Sequence, residues 1–148
     1  MPLALAALLA SAGIEDVRRR EIANWKNALV ALLAPCWWYA SGLSLFPDIA
    51  VQIVFASIIF GLFLIPFAVG QMGGGDVKLI GALALWLPLA ALEQMLIVMS
   101  LAGGVLTLLI MGDRWRLKKT GPPEIPYGVA IVIAGLIAAQ EPIFNHFA

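Results

Sequence analysis

The stretch from Ile49 to Gly75, IAVQIVFASIIFGLFLIPFAVGQMGGG, contains no charged residue. A helix crosses the hydrocarbon of a bilayer with roughly 20 apolar residues, and about 17 suffice. This run exceeds that length and leaves its glycine-rich end free to be loop. Four further uncharged runs flank it: Asn27 to Pro47, Leu79 to Leu92, Gln94 to Gly112 and Ile125 to Gln140. The last reaches spanning length by continuing past Glu141 to Phe147. Leu79 to Leu92 reaches it by starting at Asp76, provided that side chain faces protein or water. Met1 to Ile14 has the length of a signal-peptide apolar region, but no basic leader precedes it and three arginines follow it. It reads as a first spanning helix to about Val17, with the arginines snorkelling at its end.

Composition agrees with this pattern. Of 148 residues, 62% are apolar and only 12% charged, against about half and about a quarter in soluble domains. That excludes an ordinary soluble enzyme and a disordered chain, and the single cysteine, Cys36, excludes a disulfide scaffold. The expected fold is all-α: a polytopic integral membrane protein of about six transmembrane helices, at 2–17, 27–46, 49–69, 76–92, 94–111 and 126–144. Residues 1–148 form one transmembrane domain with the lipid bilayer as surroundings, and no nucleic acid partner is implied.

The formal net charge is zero, from nine basic and nine acidic residues, but the basic ones are not scattered. Arg18, Arg19, Arg20, Lys26, Lys78, Arg114, Arg116, Lys118 and Lys119 all fall in the loops 18–26, 70–78 and 112–125. The positive-inside rule places those loops in the cytoplasm and both termini outside. Asp48, Glu93 and Glu141 remain for the outer loops, with Asp48 expected to cap the third helix. Trp37, Trp38 and Tyr39 read as an outer aromatic belt, and Trp25 and Trp115 as inner anchors. Neither His146 nor Cys36 has neighbours at metal-ligand spacing, so no metal site and no cofactor is expected.

Two carboxylates need a further explanation. Asp16 ends the first helix, in Ile14-Glu15-Asp16-Val17-Arg18, and Asp76 follows a glycine run, in Gly73-Gly74-Gly75-Asp76-Val77-Lys78-Leu79. A charge inside a spanning helix costs ~2.5–3.5 kcal/mol at its centre, less near an end. Taken singly, Asp16 reads as a partner of Arg19 or Arg20, and Asp76 as a helix cap. The three glycines favour a site instead: they open the backbone and let another chain approach closely. Both acids lie on the same expected side, so two helices can bring them together. A shielded carboxylate pair holds one proton between them, so one member can activate water while the other donates to a carbonyl.

Three blocks resemble the type IV prepilin peptidases, specifically the short CpaA/TadV-type enzymes of Tad (Flp) pilus systems. Glu15-Asp16-Val17-Arg18-Arg19-Arg20-Glu21-Ile22-Ala23-Asn24-Trp25 is similar to the first-aspartate block. Gly73-Gly74-Gly75-Asp76-Val77-Lys78-Leu79 is similar to the GxGD-x-K-L signature, and Ile125-Pro126-Tyr127-Gly128-Val129-Ala130-Ile131 to the start of the last helix. One departure is Ala23, where the family usually has proline. The resemblance implies an aspartic endopeptidase that removes the basic leader of prepilins at the cytoplasmic face of the inner membrane. It further implies Asp16 and Asp76 as catalytic residues, with Gly73, Gly74 and Gly75 shaping the substrate loop and Lys78 supporting it. Long members of the family carry paired CxxC motifs and methylate the new terminus; one cysteine builds no zinc site, so neither zinc nor methyltransferase activity is expected. On the residues alone, a small proton- or cation-coupled transporter and a non-catalytic assembly subunit stay open as alternatives.

Overall fold

The computed structural model describes residues 2–118 and 125–145; Lys119, His146 and Phe147, named above, lie outside them. The described residues form six α-helices and no strand: α1 Pro2–Arg19, α2 Asn24–Ala40, α3 Ala50–Ala68, α4 Gly74–Ala84, α5 Leu89–Arg116 and α6 Tyr127–Asn145, with an irregular turn at Leu45–Ile49 before α3. Two stretches, Leu45–Ala68 and Leu89–Arg116, are long and apolar enough to cross a membrane. Their large side chains, among them Val54, Ile58, Leu62 and Ile65 on α3 and Leu101, Leu108 and Leu109 on α5, are exposed. An apolar surface of that extent requires an apolar surrounding.

Two helices organise the rest. α4 packs against α2, α3 and α6, while α6 packs against α1, α4 and α5. The core is correspondingly drawn from Val77, Leu79, Ile80 and Leu83 of α4, Ile131, Ala134 and Ala138 of α6, and Leu5 and Leu9 of α1. Small residues set the helix spacing, as expected where apolar side chains gain little by leaving lipid. A Cβ on Gly135, for example, would lie 3.0 Å from the Leu83 side chain.

The segment expected as one helix over 76–92 is broken. α4 has 11 residues, a rise of about 16 Å, roughly half the hydrocarbon thickness. Pro88 is the reason: it lacks an N–H, and its ring would collide with the carbonyl four residues earlier. It serves instead as the N-cap of α5, so that α5 starts at Leu89 and takes in Glu93, which was expected in an outer loop. Glu141 likewise lies inside α6.

A helix end buried in the protein leaves carbonyls that must find donors within it. Gln52 Nε2 donates to the carbonyls of Ala84 at 2.7 Å and Leu87 at 2.6 Å. Trp38 Nε1 donates to the Leu85 carbonyl at 2.8 Å, and Trp86 Nε1 to the Val30 carbonyl at 2.8 Å. Trp37 stacks on Trp86 with ring centroids 5.9 Å apart. Trp37 and Trp38 therefore pack the α4–α5 break rather than forming a belt, and only Tyr39 of that trio is well exposed. Trp25 and Trp115 are exposed, as anchors need to be. Asp48 does not cap α3: its Oδ2 accepts from the N–H and hydroxyl of Ser44, at 3.0 and 2.8 Å, closing the preceding turn.

Gln52→Leu removes the donor to two buried carbonyls, each costing about 1–3 kcal/mol when unsatisfied. Unfolding titrations in mixed micelles should show a loss of about 2–6 kcal/mol. An unchanged midpoint would show that the break is closed by other donors.

Candidate active site

Asp16 sits in the last turn of α1, and its carboxylate meets the first turn of α6. Its Oδ2 accepts from the Val129 N–H at 3.1 Å, and the carboxylate lies close against Gly128. The amino end of a helix presents free N–H groups and a partial positive charge, so it is a natural seat for an anion. The fit depends on Gly128: a Cβ there would lie 2.7 Å from both Cγ and Oδ2 of Asp16 and 2.9 Å from Cδ1 of Ile22. Any other residue would push the carboxylate off its seat. The partner expected for Asp16 was an arginine of its own helix. Arg20 does contribute its charge, but the direct hydrogen bond comes from a segment more than a hundred residues away.

Asp76 is the third residue of α4. Gly73, the N-cap, is extended, whereas Gly74 and Gly75 are helical. The glycine run is thus the amino turn of a helix, with only its first member outside. The Asp76 N–H donates to the Gly73 carbonyl at 3.1 Å, which closes the turn and sets the Asp76 carboxylate beside the Gly73 backbone. Each glycine leaves room for a different neighbour. Ideal Cβ atoms would lie 3.2 Å from Asp76 Oδ2 at Gly73, 3.1 Å from the Phe67 ring at Gly74, and 3.3 Å from both Cβ and the carbonyl oxygen of Ile22 at Gly75.

The two aspartates, singled out from sequence by the glycine run and their shared expected side, are brought into one neighbourhood. They are 3% and 8% exposed, and the Asp16 charge acts directly on Asp76. Ile22 is the side chain that touches both flanks, Gly75 on one and Gly128 on the other. Lys78 lies elsewhere. Two residues beyond Asp76 it is about 200° further round the helix, and its Nζ donates to Asn24 Oδ1 at 2.8 Å. It lines a cleft of about 430 Å³ among α2, α3 and α4, with Asn24, Asn27, Phe60 and Gly81. From the same side, Asn27 Nδ2 donates to the Gly75 carbonyl at 3.0 Å. α2 therefore holds the glycine turn from behind.

Lys26, expected as a loop cation, is inside α2 and 8% exposed. Its Nζ pairs with Glu15 at 3.0 Å and donates to the Ser11 carbonyl at 2.9 Å. Sequence reading missed the placement of Lys26, Ile22 and Gly128. Only Gly128 left a trace, as a glycine directly after Pro126-Tyr127 at a helix start. Among the described residues, no three His, Cys, Asp or Glu side chains group as metal ligands, and Cys36 is exposed.

An apolar, all-helical chain with two buried carboxylates on separate helices has the make-up of a membrane-associated aspartate site. Residues 3–108, which include Asp16, the glycine run and Asp76, match the model of the type IV leader peptidase family, and the chain belongs to that family. It is accordingly a peptidase of the leader-peptidase type. No curated protein and no solved structure matches it.

Displacing a reacting group by about 1 Å can cost on the order of 100-fold in rate. Gly128→Ala should therefore reduce leader cleavage by about 100-fold while the protein accumulates normally in membranes. Full activity in Gly128→Ala would detach the α6 amino end from the site.

Proposed function

We propose that the protein is an aspartic endopeptidase that cleaves the basic leader from Flp-type prepilins, using Asp16 and Asp76 as its two catalytic carboxylates. The observation that carries this reading is the convergence of two buried carboxylates, from helices distant in sequence, in a chain of the leader peptidase family. Shielded from water and acting on each other's charge, the pair shares a proton. The ionised member takes a proton from a water molecule, whose oxygen attacks the scissile carbonyl. The protonated member gives its proton to the carbonyl oxygen. As the tetrahedral intermediate collapses, the carboxyl that took the water proton passes it to the amide nitrogen, and the other carboxylate takes back a hydroxyl proton. The C–N bond breaks to release the new amino terminus. Gly73, Gly74 and Gly75 keep the turn bearing Asp76 free of side chains, which lets an extended backbone approach, and Lys78 supports it through Asn24. The cleaved substrate retains its apolar segment in the bilayer.

In the proposed setting the chain is a single peptidase domain of six membrane helices in the bacterial inner membrane, with α4 reaching only part of the way across. The basic loops and the site lie at the cytoplasmic face, and the amino terminus lies outside. The short α4 and the donors gathered at its carboxyl end support this, because broken helices at membrane depth persist where protein satisfies the backbone. Single cysteines replacing Arg19 and Arg116, in a Cys36→Ser background, should react with an impermeant maleimide in inverted vesicles and not in intact spheroplasts. Labelling of either from outside would reverse the orientation.

Coexpression with an Flp prepilin tests the activity. The parent should convert precursor to mature pilin on a gel, and Asp16→Asn and Asp76→Asn, at equal membrane levels, should each abolish conversion. Processing that persists in either variant would remove the two-carboxylate mechanism. A parent that leaves the precursor intact would overturn the Flp-type substrate.

A further inference from the structure

Asp16 and Asp76 stand on helices that share little direct packing. Their relation is therefore set by whatever bridges α1 and α4. One bridge is the amino end of α6, on which Asp16 rests. The other is the corner between α1 and α2, residues 20–23, which inserts Ile22 between Gly75 and Gly128.

α1 closes with the Arg20 N–H on the Asp16 carbonyl at 2.8 Å, and Arg20 takes a positive φ of 55°. α2 opens with the Lys26 N–H on the Ala23 carbonyl at 3.0 Å. A polar tie then runs across the gap between the two helices. The Ala23 N–H donates to Glu15 Oε2 at 3.3 Å, and the same oxygen receives Lys26 Nζ at 3.0 Å. Lys26 is anchored in turn on the Ser11 carbonyl of α1. Ala23 itself sits at φ −59° and ψ 131°, within the range a proline ring would impose. The corner thus has a proline's backbone shape without a proline, and a partly exposed ion pair keeps it there.

We infer that Lys26, acting through Glu15, is a positioning residue for the two aspartates: it holds the Ile22–Ala23 corner against Gly75 and Gly128 and so sets how the carboxylates meet. The inference rests on the aspartate-pair reading for its effect on catalysis, but not for its effect on geometry. Lys26 touches neither carboxylate, and its role differs from generic stabilisation in one respect. The geometry it enforces can be supplied covalently, by proline at position 23.

Two measurements decide it. In a prepilin cleavage assay, Lys26→Met should lower kcat about ten-fold and leave KM within about two-fold, at matched membrane levels. Glu15→Gln, which preserves an acceptor, should show a milder loss of about three-fold. Adding Ala23→Pro to either variant should return kcat to within about three-fold of the parent, although proline cannot donate to Glu15. An unchanged kcat in Lys26→Met, or a double variant as slow as Lys26→Met alone, would overturn the inference. The second measurement needs no activity. Cysteines at positions 22 and 75, in a Cys36→Ser background, place their Cβ atoms 3.3 Å apart, close to the ~3.5–4.5 Å that a disulfide spans. Lys26→Met should slow their oxidative cross-linking at least five-fold, and Ala23→Pro should restore it. An equal rate in all three would overturn the positioning role. Cleavage by Asp16→Asn or Asp76→Asn would instead remove the catalytic reading and leave the cross-linking result to stand on its own.

Discussion

The contact between the Asp16 carboxylate and the amino end of α6 is the constraint on which the arrangement turns. It joins residues 16 and 129 by one hydrogen bond of 3.1 Å, and so fixes the end of the first helix to the start of the last. The geometry permits only hydrogen at the α-carbon of residue 128 beyond the backbone, since a methyl group would overlap the carboxylate. A helix terminus offers N–H groups without a mobile counter-cation, so the charge of Asp16 is accommodated and not neutralised by a salt bridge. A carboxylate held this way stays available to a second carboxylate nearby. A lysine or arginine in direct contact would have taken up the same lone pairs and blocked the approach of Asp76.

The second organising feature is the shortness of α4. A full-length span would have carried its backbone bonds within itself and needed no donors from neighbours. The proline-terminated helix instead draws Gln52 from α3 and Trp38 from α2 to its carboxyl end, and Asn27 from α2 to its amino end. These bonds make α4 the best-tethered element in the bundle despite its length. They also explain why nearly every residue from Asp76 to Ala84 is buried while α3 buries only Ala56. The helix that bears an aspartate is rigidly held, and the helices around it present their apolar sides outward.

Much of this was legible in the sequence. The uncharged runs gave the helix count, and the scarcity of charge made Asp16 and Asp76 conspicuous. The glycine run marked a place of close approach, which Ile22 and Phe67 occupy. What escaped were matters of partner and angle. Pro88 was visible, but a break within an apolar run looks the same as continuity until the donors that satisfy it are placed. Lys26 counted as one more cation on the basic side, because no periodicity announces that an ammonium will turn inward to a glutamate eleven residues earlier. Asp48 follows a proline in the manner of a cap, yet it closes the preceding turn on Ser44. In each case hydropathy located the segment, and an individual hydrogen bond decided its conformation.

The Glu15–Lys26 pair shows how one such bond can stand in for covalent geometry. A partly exposed ion pair adds little stability in itself, because water screens the attraction. Its yield lies in geometry. Glu15 Oε2 is held by both Lys26 and the Ala23 N–H, so the carboxylate cannot leave one partner without loosening the other. A proline would fix φ at position 23 from within the chain and so hold the same corner shape without the pair. The ion pair adds the tie from Lys26 to the Ser11 carbonyl, one turn further back in α1. The corner is thereby fastened to the helix that carries Asp16, and Ile22 transmits that fastening to Gly75 and the turn that carries Asp76.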